Sequence, residues 1–166
     1  MSAAIIAPLK VSVLVDCSPK ETFRIFSEGI ETWWPLQTHS VGADTFEGKV
    51  KAETMIFEGR VGGRIYECMS DGREADWGMV LVWQPPHRVV FSWKPNLEPV
   101  PHTEVEVRFT PEGPGTRVEL EHRAWERLGE AGVEKRRRYE AGWAGVLERF
   151  VRHAQGLTSQ AGCADG

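Results

Sequence analysis

Two neighbouring segments, TEVEVRFTPEG and TRVELEHRAW, alternate apolar and charged residues almost without a break. Val105, Val107 and Phe109 interleave with Glu104, Glu106 and Arg108. Val118, Leu120, His122 and Ala124 interleave with Arg117, Glu119, Glu121 and Arg123. Successive strand residues face opposite sides of a sheet, so each segment is a strand with one buried and one wet face, as in an antiparallel meander. The dry face needs an apolar cover. Trp143, Val146, Leu147, Phe150, Val151 and Ala154 supply one, recurring as i, i+3, i+4, i+7, i+8, i+11 on a long amphipathic helix.

The remaining chain fits around this pair. LKVSVLVDC alternates through Val11, Val13 and Val15 and predicts a strand. Ser18-Pro19-Lys20-Glu21 matches a capping box with proline at the first helical position. Phe23, Phe26 and Ile30 then share a face; Gly29 breaks the helix, and IETWW forms a second short turn that Pro35 ends. Adjacent helical residues point about 100° apart, so Trp33 and Trp34 fit one buried stripe only awkwardly. One is expected in the core and the other at a cavity. Residues 35–51 read as irregular, and strands follow at 53–59, 64–70, 75–84 and 87–94. The fold class is α+β: a curved antiparallel sheet gripping a long C-terminal helix, with two short helices after the first strand. A single domain, 8–154, is expected between a flexible N-terminus, 1–7, and a flexible polar tail, 155–166.

The seven tryptophans call for an unusually aromatic core or an aromatic-lined cavity. A net charge of −4 argues against nucleic acid as a partner. The basic run Lys135-Arg136-Arg137-Arg138, bracketed by Glu134 and Glu140, reads as a solvated helix face, with an anionic partner as the alternative. Three distant cysteines without C-x-x-C, no leader-like N-terminus and no apolar run of spanning length predict a cytoplasmic protein in a reducing compartment without a membrane span.

Catalytic templates are weak. His39 beside Ser40 lacks a positioned third group. Gly59-x-x-Gly62-Gly63 lies between strands without a helix or Lys-Ser/Thr after it, which makes it a hairpin turn rather than a phosphate cradle. No metal spacing appears among the histidines and cysteines. No catalytic residue, metal or cofactor is therefore assigned.

Several short motifs in fixed order carry a family resemblance: Trp33-Trp34, Gly62-Gly63-Arg64, Asp71-Gly72, Gly78-x-Val80, Pro85-Pro86-x-Arg88, Phe91-x-Trp93 and YEAGWAGVLERF. Over about residues 8 to 153 the chain resembles the START-like helix-grip superfamily. Within it, the chain resembles the bacterial proteins related to the C-terminal domain of the activator of heat-shock-protein-ninety ATPase. The resemblance implies a sheet gripping the helix around an internal hydrophobic cavity. Similar domains bind lipids, hormones or polyketides, and a minority are enzymes such as aromatase/cyclases. The family has no universal catalytic residue to carry over. The eukaryotic activator uses a separate N-terminal domain for which this chain has no room. Family position favours Trp34 as the better anchored of the doublet.

The expected ligand-binding set is Phe26, Trp33, Trp34, Tyr66, Glu67, Trp77, Met79, Phe91, Trp93, Val107, Phe109, Leu120, His122, Trp143 and Leu147. Parity places His122 inward with Val118 and Leu120, as a core histidine or as a polar group in the cavity. In strand 64–70 either Ile65, Glu67 and Met69 face inward, or Arg64, Tyr66 and Cys68 do. The leading expectation is non-catalytic binding of a small hydrophobic or aromatic molecule. The short helices around Trp33 and the loop Pro95 to Pro101 would gate the entrance. The first alternative is a cyclase or hydrolase using Glu67 and His122 as an acid–base pair. The second is a co-chaperone-like protein-interaction module. A protein partner and a monomer or homodimer state both remain open.

Overall fold

The computed structural model describes residues 5–45, 50–95 and 101–161. Strand β1 (Leu9–Val15) leads to α1 (Pro19–Phe26), a 3-10 turn (Ile30–Thr32) and the short α2 (Val41–Thr45). Six strands follow: β2 (Ala52–Phe57), β3 (Arg64–Met69), β4 (Glu74–Gln84), β5 (Arg88–Trp93), β6 (Thr103–Glu112) and β7 (Gly115–Arg123). A 3-10 segment (Trp125–Ala131) then feeds α3 (Gly132–Ala161). The strands form one antiparallel sheet in the order β1-β7-β6-β5-β4-β3-β2. This curled sheet grips α3, giving the expected α+β helix-grip architecture.

Local chemistry explains the elements. Ser18 caps α1 by accepting the Glu21 N–H at 3.3 Å, with Pro19 at the first turn. In β6 and β7 the inward face is as expected, with Val105, Val107, Phe109, Val118, Leu120 and His122 buried, but on the outer face Glu106 is buried as well, held by Arg88, Arg108 and Arg123. On α3 the stripe Trp143, Val146, Leu147, Phe150 and Ala154 is buried against the concave face. One half of the core is a phenylalanine cluster. Phe26 lies 5.7 Å from Phe109 and 5.5 Å from Phe150, and Trp33 sits 4.9 Å from Phe150. The other half is built of tryptophans.

Four expectations change. The strand β4 does not alternate along its length: Ala75 and Trp77 are buried, and so is Val80. An irregularity in its pairing with β3, where Ile65 faces Gly78 and Tyr66 faces Asp76, shifts the parity and turns Met79 out to solvent. Gly78 is required there, because a Cβ would lie 1.7 Å from the Ser92 carbonyl oxygen. On β3, Ile65, Glu67 and Met69 face inward, which puts Tyr66 on the outer face beneath the Arg64 guanidinium, 3.9 Å from its ring centroid. Met79 and Tyr66 are therefore not interior residues. Helix α3 runs to Ala161, so residues 155–161 continue the helix instead of beginning a tail. Cys17 is disulfide-bonded, and the reduced state expected of the cysteines holds for Cys68.

Candidate functional site

Four indoles meet between β4, β5, α3 and the segment after the 3-10 turn. Trp34 has ring neighbours Trp77 at 5.2 Å, Trp93 at 5.8 Å and Trp143 at 5.8 Å; Trp93 also lies 5.6 Å from Trp77 and 5.4 Å from Trp143. All four line a cavity of about 330 Å³, open at one side. Its remaining walls are Thr38, His39, Ser40 and Pro95, with Lys135, Arg138, Tyr139, Gly142 and Val146 from α3. Gly142 leaves space, since a Cβ there would meet nothing within 4 Å. A cavity of about 150 Å³ takes one benzene, so this one has room for roughly two to three fused rings.

The doublet divides just past the 3-10 turn, which ends at Thr32 with Trp33 as its C-cap. Trp33 gives its indole N–H to the Ile25 carbonyl at 2.8 Å and packs in the phenylalanine cluster. Trp34 gives its own to the His39 carbonyl at 2.7 Å and faces the cavity. Both are buried, and Trp33 is the deeper, 2% exposed against 8%.

The two polar candidates hold walls instead of facing the cavity. Glu67, fully buried, accepts the Val41 N–H at 2.6 Å and the Trp77 indole at 2.7 Å on Oε1, and the Gly42 N–H at 3.0 Å on Oε2. It ties the 38–42 lip to Trp77. His122 accepts the Trp143 indole N–H on Nδ1 at 2.9 Å. An indole only donates, so the imidazole proton sits on Nε2 and is given to Thr103 Oγ1 at 2.6 Å. Thr103 in turn donates to the Trp93 carbonyl at 3.3 Å. Burial pushes the His122 imidazole down to about 3, so it stays neutral. Glu67 and His122 make no contact with each other, and β4, β5 and β6 separate their strands.

Of the other expected ligand contacts, Phe26, Trp33, Phe91, Val107, Phe109, Leu120 and Leu147 are packed in the solid core. Tyr66 and Met79 lie outside it. The sequence reading missed Thr38, Tyr139, Gly142 and Val146 as cavity residues, gave Pro95 as part of the gating loop, and gave Lys135 and Arg138 as a solvated face with an anionic partner as the alternative. Spacing from Trp143 could have found Tyr139 and Val146, which lie one helical turn to either side. His39 and Ser40 do line the cavity, but without the makings of a nucleophile–base pair. The Ser40 hydroxyl accepts the Ala43 N–H at 3.0 Å and His39 Nδ1 lies 2.8 Å from Thr38 Oγ1. Residues 96–100 of the expected gate lie outside the described residues. No group of three potential metal ligands occurs among the described residues.

With this geometry in hand, sequence comparison gives a direct result: the profile of the activator of Hsp90 ATPase homolog 1-like proteins matches residues 16–155. The chain belongs to that family. No curated protein matches it. Among solved structures, the family fold recurs in an anthrahydroquino-γ-pyrone synthase, Txn09, at 33% identity and TM-score 0.60, covering 89% of this chain and 97% of that one. It recurs in the self-sacrificing resistance protein CalC from Micromonospora echinospora, at 27% identity and TM-score 0.68 with 96% and 97% covered. The Aha1 dimer from Colwellia psychrerythraea, at 15% identity, TM-score 0.61 and 96% and 100% coverage, shares the fold. No described helix is long and apolar enough to cross a membrane.

Proposed function

We propose that this protein binds a planar aromatic small molecule in the tryptophan-lined cavity without transforming it. The observation that carries the reading is the convergence of Trp34, Trp77, Trp93 and Trp143 on one open cavity of about 330 Å³. Such walls supply apolar area and stacking faces for flat rings. Family membership supports hydrophobic-ligand binding, and the likeness to a polycyclic-pyrone synthase and a resistance protein supports a role in handling small molecules.

The synthase likeness also favours a second reading, ring closure of a bound substrate. The acid–base form of that reading gains nothing from Glu67 and His122, whose acceptor atoms are engaged and which stand outside the cavity lining. A co-chaperone role would call for a concentrated apolar docking patch. Among the described residues the exposed large apolar ones are Ile5, Leu14, Val61, Met79, Leu81 and Val133, and only the Val61 turn and β4 are joined, by the Gly62 N–H to the Val80 carbonyl.

A panel of flavonoids, anthraquinones and fatty acids, read by tryptophan emission and melting temperature, tests the binding reading. Flat aromatics are expected to quench emission and raise Tm, and fatty acids to do neither. Mass spectrometry of the recovered ligand separates binding from catalysis. Unchanged mass and chromatographic mobility support binding alone; a new product supports ring closure. Absence of any response across the panel refutes both.

A further inference from the structure

Trp93 differs from the other indoles around it. Trp33, Trp34, Trp77, Trp125 and Trp143 each donate to a protein acceptor. Trp93 Nε1 is buried, in a residue only 5% exposed, and is the one such side-chain nitrogen or oxygen without a partner among the described residues. A buried donor left unmet keeps its full desolvation penalty. A ligand oxygen that reached Nε1 would remove that penalty, and Trp93 is among the residues that line the cavity.

The mouth adds a second, independent observation. In a chain of net charge −4, the titratable residues lining the cavity among the described residues are His39, Lys135, Arg138 and Tyr139, with no carboxylate among those described. Lys135 enters no ion pair with a described residue, and Arg138 has only a loose one, 3.6 Å from Glu134 and highly exposed. Lys135 also borders a smaller recess of about 60 Å³ that shares Trp93, Pro95 and Tyr139 with the main cavity. The basic run is thus a solvated face only in part: two of its four cations edge the opening.

We infer that the ligand is an aromatic acid. Its fused rings lie among the tryptophans, a ring carbonyl or hydroxyl oxygen accepts the Trp93 indole N–H, and a carboxylate or phenolate reaches Lys135 and Arg138. This rests on the binding reading above and specifies the chemistry of its ligand. The charged end stays near solvent, where Lys135 and Arg138 meet it without the desolvation of a buried ion pair.

The test uses three probes on the full chain: anthraquinone-2-carboxylate, anthracene-2-carboxylate without the ring oxygens, and anthraquinone-2-carboxamide without the charge. Kd is measured at low and high salt. In parallel, the Trp93 indole N–H is followed by ¹⁵N-edited NMR and assigned with Trp93→Phe. Anthraquinone-2-carboxylate is expected to bind tightest. Losing the ring oxygens should weaken binding about three- to tenfold. Losing the charge should weaken it about two- to fivefold and abolish the salt dependence. The Trp93 N–H should move downfield only with the two oxygen-bearing probes. The double substitution Lys135→Gln, Arg138→Gln, on exposed side chains, should weaken the two carboxylates alone. Should Trp93→Phe fail to fold, the probe comparison on the unaltered protein and the double variant decide the matter. Equal affinity for all three probes, unaffected by salt or the double variant, overturns the inference and leaves the binding reading standing. Absence of binding by any probe overturns both.

Discussion

Acid should loosen this fold through His122 before any carboxylate is involved. Burial holds its imidazole at about 3, while in the unfolded chain it titrates at its ordinary 6.5. The unfolded state therefore takes up a proton first as pH falls. The stability associated with neutral His122 is fully present above 6.5 and is lost progressively down toward 3. Between pH 6.5 and 4.5 the loss should be about 2.3 kcal/mol. Glu106 acts lower. Burial alone would raise its carboxyl, but Arg123, Arg88 and Arg108 hold it down to about 2, so its contribution disappears only below its ordinary 4.5. Urea unfolding across pH, with the m-value checked for constancy, measures the slope. His122→Gln keeps an acceptor for Trp143 and a donor for Thr103 but does not titrate, so its stability should be flat over the same interval. A flat profile in the unaltered protein, or an equal slope in the variant, refutes the assignment of His122 as the neutral link between Trp143 and Thr103.

Other consequences follow from the packing. Trp33→Ala should cost about 3–5 kcal/mol in urea unfolding, whereas Trp34→Ala, which enlarges an existing opening, should cost less and weaken aromatic ligands in emission titrations. Gly142→Leu should raise Tm slightly, by up to about 1 kcal/mol of helix propensity, and block ligand binding by filling the space above residue 142. Gly78→Ala should cost about 3 kcal/mol or more, read by denaturation, because its methyl collides with the Ser92 carbonyl. Met79→Lys should change stability by less than about 0.5 kcal/mol and leave ligand affinity intact, as its outward position requires.

How much of this was legible in the sequence depended on the kind of signal. Alternation in β6 and β7 and the stripe on α3 report burial directly, so the sheet, its cover and the inward side of His122 could be read. The Ser18 cap and the Gly29 and Pro35 breaks were equally local, and they separated Trp33 from Trp34. The relative depth of those two indoles was not local. It depends on Phe150 and Trp77, which are remote in sequence, and Trp33 proved the deeper. Period two failed at Trp77–Val80 because a pairing irregularity resets the faces, an event set by the close approach of Gly78 to β5. Glu67 and His122 were found as inward polar residues, but their partners are backbone amides and indoles from distant segments. Such pairing turns suspected acid–base groups into struts. The charged mouth was hidden because Lys135 and Arg138 sit in a run with Arg137, which faces solvent, and Arg136, which binds the Ala7 and Pro8 carbonyls, and the unmet Trp93 N–H has no sequence signature.

The central claim is that the space among Trp34, Trp77, Trp93 and Trp143 is a binding site. A crystal structure of the protein with anthraquinone-2-carboxylate tests it most directly. The account predicts ring density within about 4 Å of all four indoles, with Trp34 in its present position. A cavity left empty at saturating ligand, or a ligand held elsewhere on the surface, would contradict it.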